Sequence, residues 1–298
     1  MSNQFDGIVF SDENLRAVFE GTALLIGDGA MGTALQAQGL VKGGELADLL
    51  CLANPEAITA VHRSFVEAGA ELITSNTFNS NARHLKDVAS VEEVYAAAVA
   101  CARAAGARYV AGDIGPSGDM LAPLGTLSEQ EALELFGQQA RAAAAAGADL
   151  IMLETFTDVA EAEIAVKAVR ANCNLPIIAS MAYNAGTRTM FGNTPAQQVE
   201  VLGAAGAQVV GVNCSQGPAE MAPVVAELLA AANGPVSVRP NAGVPHMEGS
   251  EAVFDVTPQE FEEHMRAFVA DGVTIVGGCC GTTPAFVEKL VGIVAAAR

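Results

Sequence analysis

Eight short apolar runs rich in β-branched residues recur along the chain, and each stops at a glycine or a small polar cluster. They are Ala23 to Gly29, Glu71 to Phe78, Arg108 to Gly115, Asp149 to Phe156, Pro176 to Tyr183, Gln208 to Ser215, Pro235 to Gly243 and Val273 to Cys280. Between them lie alanine-rich stretches with helical spacing, among them Ser128 to Ala146, Ala160 to Ala171, Pro195 to Ala205 and Pro258 to Ala270, with Asp158, Thr194 and Thr257 placed as caps. Gly69, Gly147, Gly206 and Gly272 follow such stretches and turn the chain toward the next run. Strands that are apolar on both faces and alternate with helices pair in parallel, with the helices covering the sheet. Eight such units in 298 residues predict an α/β protein with one domain over 1–298, a (β/α)8 TIM barrel in preference to a doubly wound sheet.

A barrel concentrates its chemistry at the C-terminal ends of the strands, where the βα loops converge. Those ends carry Asp28, Asn76, Asp113, Glu154, Asn213 with Cys214, Asn241, and Cys279 with Cys280. Polar residues far apart in sequence would therefore form one ring around the mouth. The first of these ends also reads Gly27-Asp28-Gly29-Ala30-Met31-Gly32, a G-x-G-x-x-G pattern after an apolar run, with the acidic Asp48 downstream. A nicotinamide site would need Asp48 at the end of a second strand. Residues Gly44 to Ser64 instead read as turn and helix, with Pro55 opening the helix, so the dinucleotide reading is set aside. What remains is a strand-to-helix turn whose backbone N–H groups at Gly29, Ala30 and Met31 could hold a carboxylate without a basic side chain.

Charge limits the partners. Fifteen Lys and Arg against 34 Asp and Glu leave −19, which repels nucleic acid and anionic membrane surfaces and favours small molecules or proteins. No apolar stretch reaches the roughly 18 residues of a membrane span, and Met1 to Asp6 lack the basic and apolar segments of a secretion leader. A cytoplasmic protein is expected, in which six cysteines do not imply a disulfide framework.

Cys214 on the sixth run and Cys279-Cys280 on the eighth can meet at the mouth. Three thiolates there could bind one borderline metal, Zn²⁺ being the usual choice, and leave a coordination position open. The competing reading is that these cysteines simply pack as small hydrophobes. Gly277, Gly278 and Gly281 favour the metal, since they leave backbone space for a ligand to approach. Cys51, Cys101 and Cys173 read as structural. His62, His84, His246 and His264 show no ligand spacing and read as solvated or satisfied surface residues.

The motifs GDGAMGT, SNTFNSN, GDIGPSG, LETF, GVNCS, RPNAG and GGCCGTTP, in this order from about residue 15 onward, resemble the homocysteine S-methyltransferase family. The likeness is greatest to the homocysteine-binding barrel of its cobalamin-dependent methionine synthase branch. This resemblance implies a zinc-dependent methyl transfer to the thiol of L-homocysteine, giving methionine. It implies Cys214, Cys279 and Cys280 as zinc ligands, with Asn241 able to fill the fourth position when substrate is absent. It also places Asp28 and Glu154 at the substrate ammonium, while Asn76, Asp113 and Asn213 are further candidates for substrate contact. Methylcobalamin on a corrinoid-binding domain or separate protein is the donor the resemblance favours, and the chain would then be a module of a larger enzyme or meet its partner at an open mouth. The alternatives are a freestanding enzyme using S-methylmethionine or betaine, and a non-catalytic zinc-binding interaction module.

Overall fold

A computed structural model describes residues 5–42, 44–184, 186–248 and 251–297; the leader reading at residues 1–4 lies outside them. Eight parallel strands form one sheet: β1 Leu25–Ile26, β2 Leu72–Thr74, β3 Tyr109–Ile114, β4 Leu150–Phe156, β5 Ile177–Met181, β6 Val209–Asn213, β7 Val236–Arg239 and β8 Ile275–Val276. Consecutive strands are neighbours from β2 to β8, and β8 pairs with β1. The ring closes between β1 and β2 through a parallel bridge of Gly27 with Leu72 and a 2.8 Å bond from the Glu71 N–H to the Ile26 carbonyl. The expected (β/α)8 barrel is therefore the observed fold.

The helices between the strands begin where side chains can satisfy free N–H groups. Glu129–Ala146, Pro195–Ala205 and Pro258–Ala270 open on reciprocal capping boxes of Ser128 with Glu131, Thr194 with Gln197, and Thr257 with Glu260. Asp158 caps Val159–Asn172 through the Ala160 N–H. Two elements were not anticipated. A helix over Glu13–Phe19 precedes the barrel, and an antiparallel hairpin pairs His246–Glu248 with Glu251–Val253 in the connection after β7.

Strand alternation divides the core in two. Outward residues such as Ile73, Val110, Ile151, Val210 and Val238 pack under the helices. Inward residues Leu25, Leu72, Tyr109, Leu150, Ile178, Val209 and Ile275 fill the barrel, and Leu15, Val18 and Phe19 of the N-terminal helix plug that end. The register then fixes what lines the opposite end. Ser237 is level with the inward Ile275, so by the two-residue period Arg239 also points inward. The same count from Leu72, Ala111, Met152 and Val209 carries Thr74, Asp113, Glu154 and Asn213 inward.

His62 departs from expectation. It lies on Pro55–Glu67, is fully buried, and neither ring nitrogen has a hydrogen-bond partner. Helical spacing turns it toward the core with Ile58 and Phe65, a burial that a lone histidine in the sequence does not announce. Burial holds its pKa down to about 3. In the unfolded chain an imidazole titrates near 6.5, so the unfolded state binds more protons between these values. Stability from neutral His62 is complete above about pH 6.5 and is lost as pH falls toward 3, by about 1.4 kcal/mol per pH unit. We expect urea unfolding of His62→Phe to show a shallower loss of stability over that window than the parent, with the two curves diverging on acidification.

Candidate active site

All strands except β5 send residues to one cavity of about 350 Å³ at their C-terminal ends. Its walls include Asp28 and the turn Gly29–Thr33 after β1, Thr74 and Asn76 from β2, Asp113 from β3, and Glu154 and Thr155 from β4. Cys214, Arg239, Cys279 and Cys280 complete it from β6, β7 and β8. Of the residues expected there, Asn213 and Asn241 do not line the cavity but are buried beside it.

The three cysteines converge as expected. Their sulfurs lie within 4.8 Å of one another, and Cys214 Sγ is 3.8 Å from Cys280 Sγ. Tetrahedral zinc with Zn–S bonds of about 2.3 Å would set its sulfurs about 3.8 Å apart, so the cluster fits that ion. Asn241 adds a second sign of fit: its Oδ1 is buried and has no hydrogen-bond partner. Cys279 is held well above the ordinary thiol range, first by its contact with Cys214, then by burial and the nearby charges. Cys214 is pushed up to about 12, since contact with Cys279 lowers it but contact with Cys280 and burial outweigh that. A bound cation would offset the cost of ionising such a cluster.

The glycines beside the cysteines have another cause than the one expected. A Cβ on Gly278 would collide with Thr282 Oγ1, one on Gly281 with the Phe254 ring, and one on Gly277 would stand 3.1 Å from both Arg239 Nε and the Asp28 carbonyl. Protein, not ligand, fills that space. Gly29 is constrained likewise, because a Cβ there would stand 2.7 Å from Phe65 and from Thr282 Oγ1.

Arg239, on β7 between the strands that carry Cys214 and the Cys279–Cys280 pair, organises the adjoining wall and was not anticipated. Its side chain is 5% exposed; Nη2 meets Asp28 Oδ1 at 2.5 Å, Nη1 donates to Thr74 Oγ1 at 2.8 Å, and Nε donates to the Gly278 carbonyl at 3.3 Å. Thr74 completes the knot by donating its N–H and its hydroxyl to the Asp28 carboxylate at 2.8 and 2.9 Å. Glu154 Oε2 stands 3.7 Å from Arg239 Nη1, with its side chain 14% exposed to the cavity. Burial raises the Asp28 and Glu154 carboxyls, and the charge of Arg239 opposes it at both. Asp113 is held well above the usual carboxylate range, by burial first and then by Glu154, and its Oδ1 is buried without a partner.

Thr155 and Cys214 sit in unusual backbone. Thr155 has φ +65°, Cys214 +60° and Ser215 +62°, left-handed values that cost roughly 1–3 kcal/mol at such residues. The β4–β5 register slips between Leu153 and Phe156, so Glu154 and Thr155 form a bulge, after which Phe156 packs outward under the helices although Glu154 two residues earlier points inward. Asn76 ties its amide to the Ala47 carbonyl at 2.9 Å and to Cys51 Sγ at 3.5 Å. Asp48 lies in the short helical turn Ala47–Leu49, not at a strand end, and accepts from the Asn79 N–H and Ser80 Oγ at 2.8 Å each. It too lines the cavity. The Ala30 N–H makes only a 3.4 Å bond, to the Thr282 carbonyl, and Ala30 opens the helix Met31–Ala37 with no side-chain cap. The remaining cysteines are free: Cys51 and Cys101 are buried in helices, and Cys173 ends one.

The profile of the homocysteine S-methyltransferase family matches residues 25–294, nearly the whole barrel. The chain belongs to that family. Among the family's curated members it is 32% identical to methionine synthase of Mycobacterium tuberculosis and 31% identical to that of Mycobacterium leprae, in each case over 91% of this chain. It spans about a quarter of the length of those relatives, 25% and 24%. The solved homocysteine methyltransferase MmuM from Escherichia coli, in its oxidised form, superposes with a TM-score of 0.79 at 24% identity, covering 94% of this chain and 99% of that one. That likeness is one of fold.

The Asp28–Arg239 pair generates a prediction. Removing one partner of a buried ion pair costs about 3–5 kcal/mol, because the other charge is left uncompensated. Asp28→Asn should lower unfolding free energy by about that amount in urea titrations. The double variant Asp28→Asn, Arg239→Met should recover only part of the loss, because it also takes from Glu154 the guanidinium that it faces at 3.7 Å.

Proposed function

We propose that this chain binds L-homocysteine and methylates its thiol to form methionine, with zinc held by Cys214, Cys279 and Cys280 and, before substrate enters, by Asn241 Oδ1. One observation carries the reading: three thiols at the ends of β6 and β8 share one cavity with Glu154 and the Asp28–Arg239 pair. When bound, zinc would supply the thiolate form of sulfur at neutral pH, where a free thiol of pKa about 8.5 is mostly protonated.

The chain's own residues handle the other end of the substrate. Ionised Asp28 and Glu154 against the single guanidinium of Arg239 leave one excess negative charge, the complement of an α-ammonium. Because Asp28 is already bonded to Arg239 and Thr74, Glu154 is the carboxylate with oxygen free for a new donor. Burial first, and then the neighbouring Glu154, disfavour the charged form of Asp113. The α-carboxylate would sit against the N–H groups of Gly29 and Ala30, with Asn76 on the same wall.

For the donor we favour methylcobalamin carried by a corrinoid-binding domain or protein, in the cytoplasm. Two features support this: the relatives called methionine synthase extend far beyond the matched quarter, and exposed apolar side chains crowd the loops around the mouth. Met120 and Leu124 follow β3, Met190 and Phe191 follow β5, and Val244 and Met247 follow β7. Exposed apolar groups gathered on one face mark an interaction surface. No helix among the described residues is long and apolar enough to cross a membrane. A freestanding enzyme using S-methylmethionine or betaine is the second reading, favoured by the full-length overlap with the MmuM fold.

Two measurements test these readings. Zinc analysis should find metal in the parent and little in Cys214→Ser, and homocysteine should alter the metal environment of the parent; unchanged zinc in the variant refutes the ligand set, and indifference to homocysteine leaves a non-catalytic zinc module. Methionine formation measured in parallel with methylcobalamin, S-methylmethionine and betaine should be fastest with methylcobalamin, and turnover confined to the other two would refute the corrinoid donor.

A further inference from the structure

We infer that Asn213 is a positioning residue that locks the turn presenting Glu154 to the strand end presenting Cys214, and so sets the length of aminothiol the cavity accepts. The inference rests on the functional reading above and gives Asn213 a task away from the substrate itself. Asn213 ends β6 on its inward face and is fully buried. Both ends of its amide meet one residue: Thr155 N–H donates to Asn213 Oδ1 at 2.8 Å, and Asn213 Nδ2 donates to Thr155 Oγ1 at 2.8 Å. The same Nδ2 is 4.0 Å from Cys279 Sγ.

Thr155 needs such a clamp. It is β-branched at φ +65°, a conformation that persists only where the surroundings over-determine it. The bulge it forms directly follows the inward carboxylate of Glu154, and Asn213 holds that bulge from β6, one strand beyond the intervening β5. The next residue after Asn213 is Cys214. A single side chain thus bonds the backbone behind the ammonium-facing carboxylate and is covalently adjacent to a thiol of the cluster. An α-amino acid held by its ammonium at Glu154 and by its sulfur at the cysteines must span a fixed gap. A substrate one methylene shorter, cysteine, cannot satisfy both ends at once, and a difference of one methylene is typically worth roughly 10- to 200-fold.

The test compares homocysteine and cysteine as methyl acceptors for the parent, Asn213→Ala, and Asn213→Ala with Thr155→Gly, alongside zinc content and hydrogen exchange at the residue 155 amide. Glycine adopts positive φ without a clamp, so the double variant should regain the turn. We expect Asn213→Ala to raise KM for homocysteine about tenfold with a smaller fall in kcat, narrow the preference over cysteine, speed exchange at the Thr155 amide and keep its zinc. The added Thr155→Gly should restore most of the KM and the preference. An Asn213→Ala protein with unchanged KM and preference overturns the inference, as does a double variant that restores neither, the behaviour of general loosening. Should Asn213→Ala not fold, Asn213→Asp serves: its carboxylate still accepts from the Thr155 N–H and hydroxyl, so the preference should survive, and its loss in a folded protein overturns the inference. A parent inert toward homocysteine instead overturns the functional reading and this inference with it, an outcome distinct from a working parent and an indifferent variant.

Discussion

A guanidinium buried inside a barrel, above layers of hydrocarbon, dictates what surrounds it. Withdrawing Arg239 and Asp28 from water costs several kcal/mol per ion, and their attraction offsets that only if geometry is good and the remaining donors are satisfied. The structure meets both conditions, with Asp28, Thr74 and the Gly278 carbonyl each accepting from Arg239. Consequences spread along the backbone. The Asp28 carboxylate takes the Thr74 N–H, so the β1–β2 ladder is finished by a side chain and β1 is only Leu25–Ile26. The Gly277 position has no room beside Arg239 for a side chain, and the chain carrying the two cysteines passes directly over the ion pair.

The barrel therefore works as two halves with opposite demands. Toward the N-terminal ends of the strands, the inward layers are apolar and the helix Glu13–Phe19 seals them, with Asp12 both capping that helix and accepting from the Tyr109 hydroxyl at 2.8 Å. Burial there stabilises without restricting chemistry. Toward the C-terminal ends, the inward layer holds Thr74, Asp113, Glu154, Asn213 and Arg239, and left-handed backbone at Thr155, Cys214 and Ser215 is held in place by hydrogen bonds. The strain is carried by the upper half because the lower half keeps the strands fixed.

This division explains what could be read in advance. Each barrel strand announces itself by local composition and the helices after Asp158, Thr194 and Thr257 by their caps, and Cys214, Cys279 and Cys280 sit at strand ends that any parallel barrel brings together. Arg239 was hidden because its inward direction depends on register with β8, where Ser237 is level with Ile275, and a sequence does not display pairings between distant strands. The roles of Asn213 and Thr155 were hidden for a related reason: a reciprocal amide clamp spans 58 positions and leaves no periodic trace. The glycines around the cysteines and the buried His62 fall in a third class. Their residue types fit two environments equally well, and only the packing of Thr282, Phe254 and Arg239, or the rotation of one helix, decides between them.

The cavity's charges point to how it selects a ligand. At one end the contacts of the three thiols with one another, together with burial and neighbouring charge, raise all three above the ordinary thiol range. At the other end two carboxylates face one guanidinium. Among the described residues that line the cavity Arg239 is the one Lys or Arg, and it is already committed to Asp28 and its neighbours. On the proposed function a metal ion would take the first end and an ammonium the second. A molecule carrying an ammonium and a sulfur at a fixed separation would connect the two, and its recognition would then depend less on any one contact than on the rigidity of the wall between them. That wall is built from β4 and β6, the strands that Thr155 and Asn213 bond together.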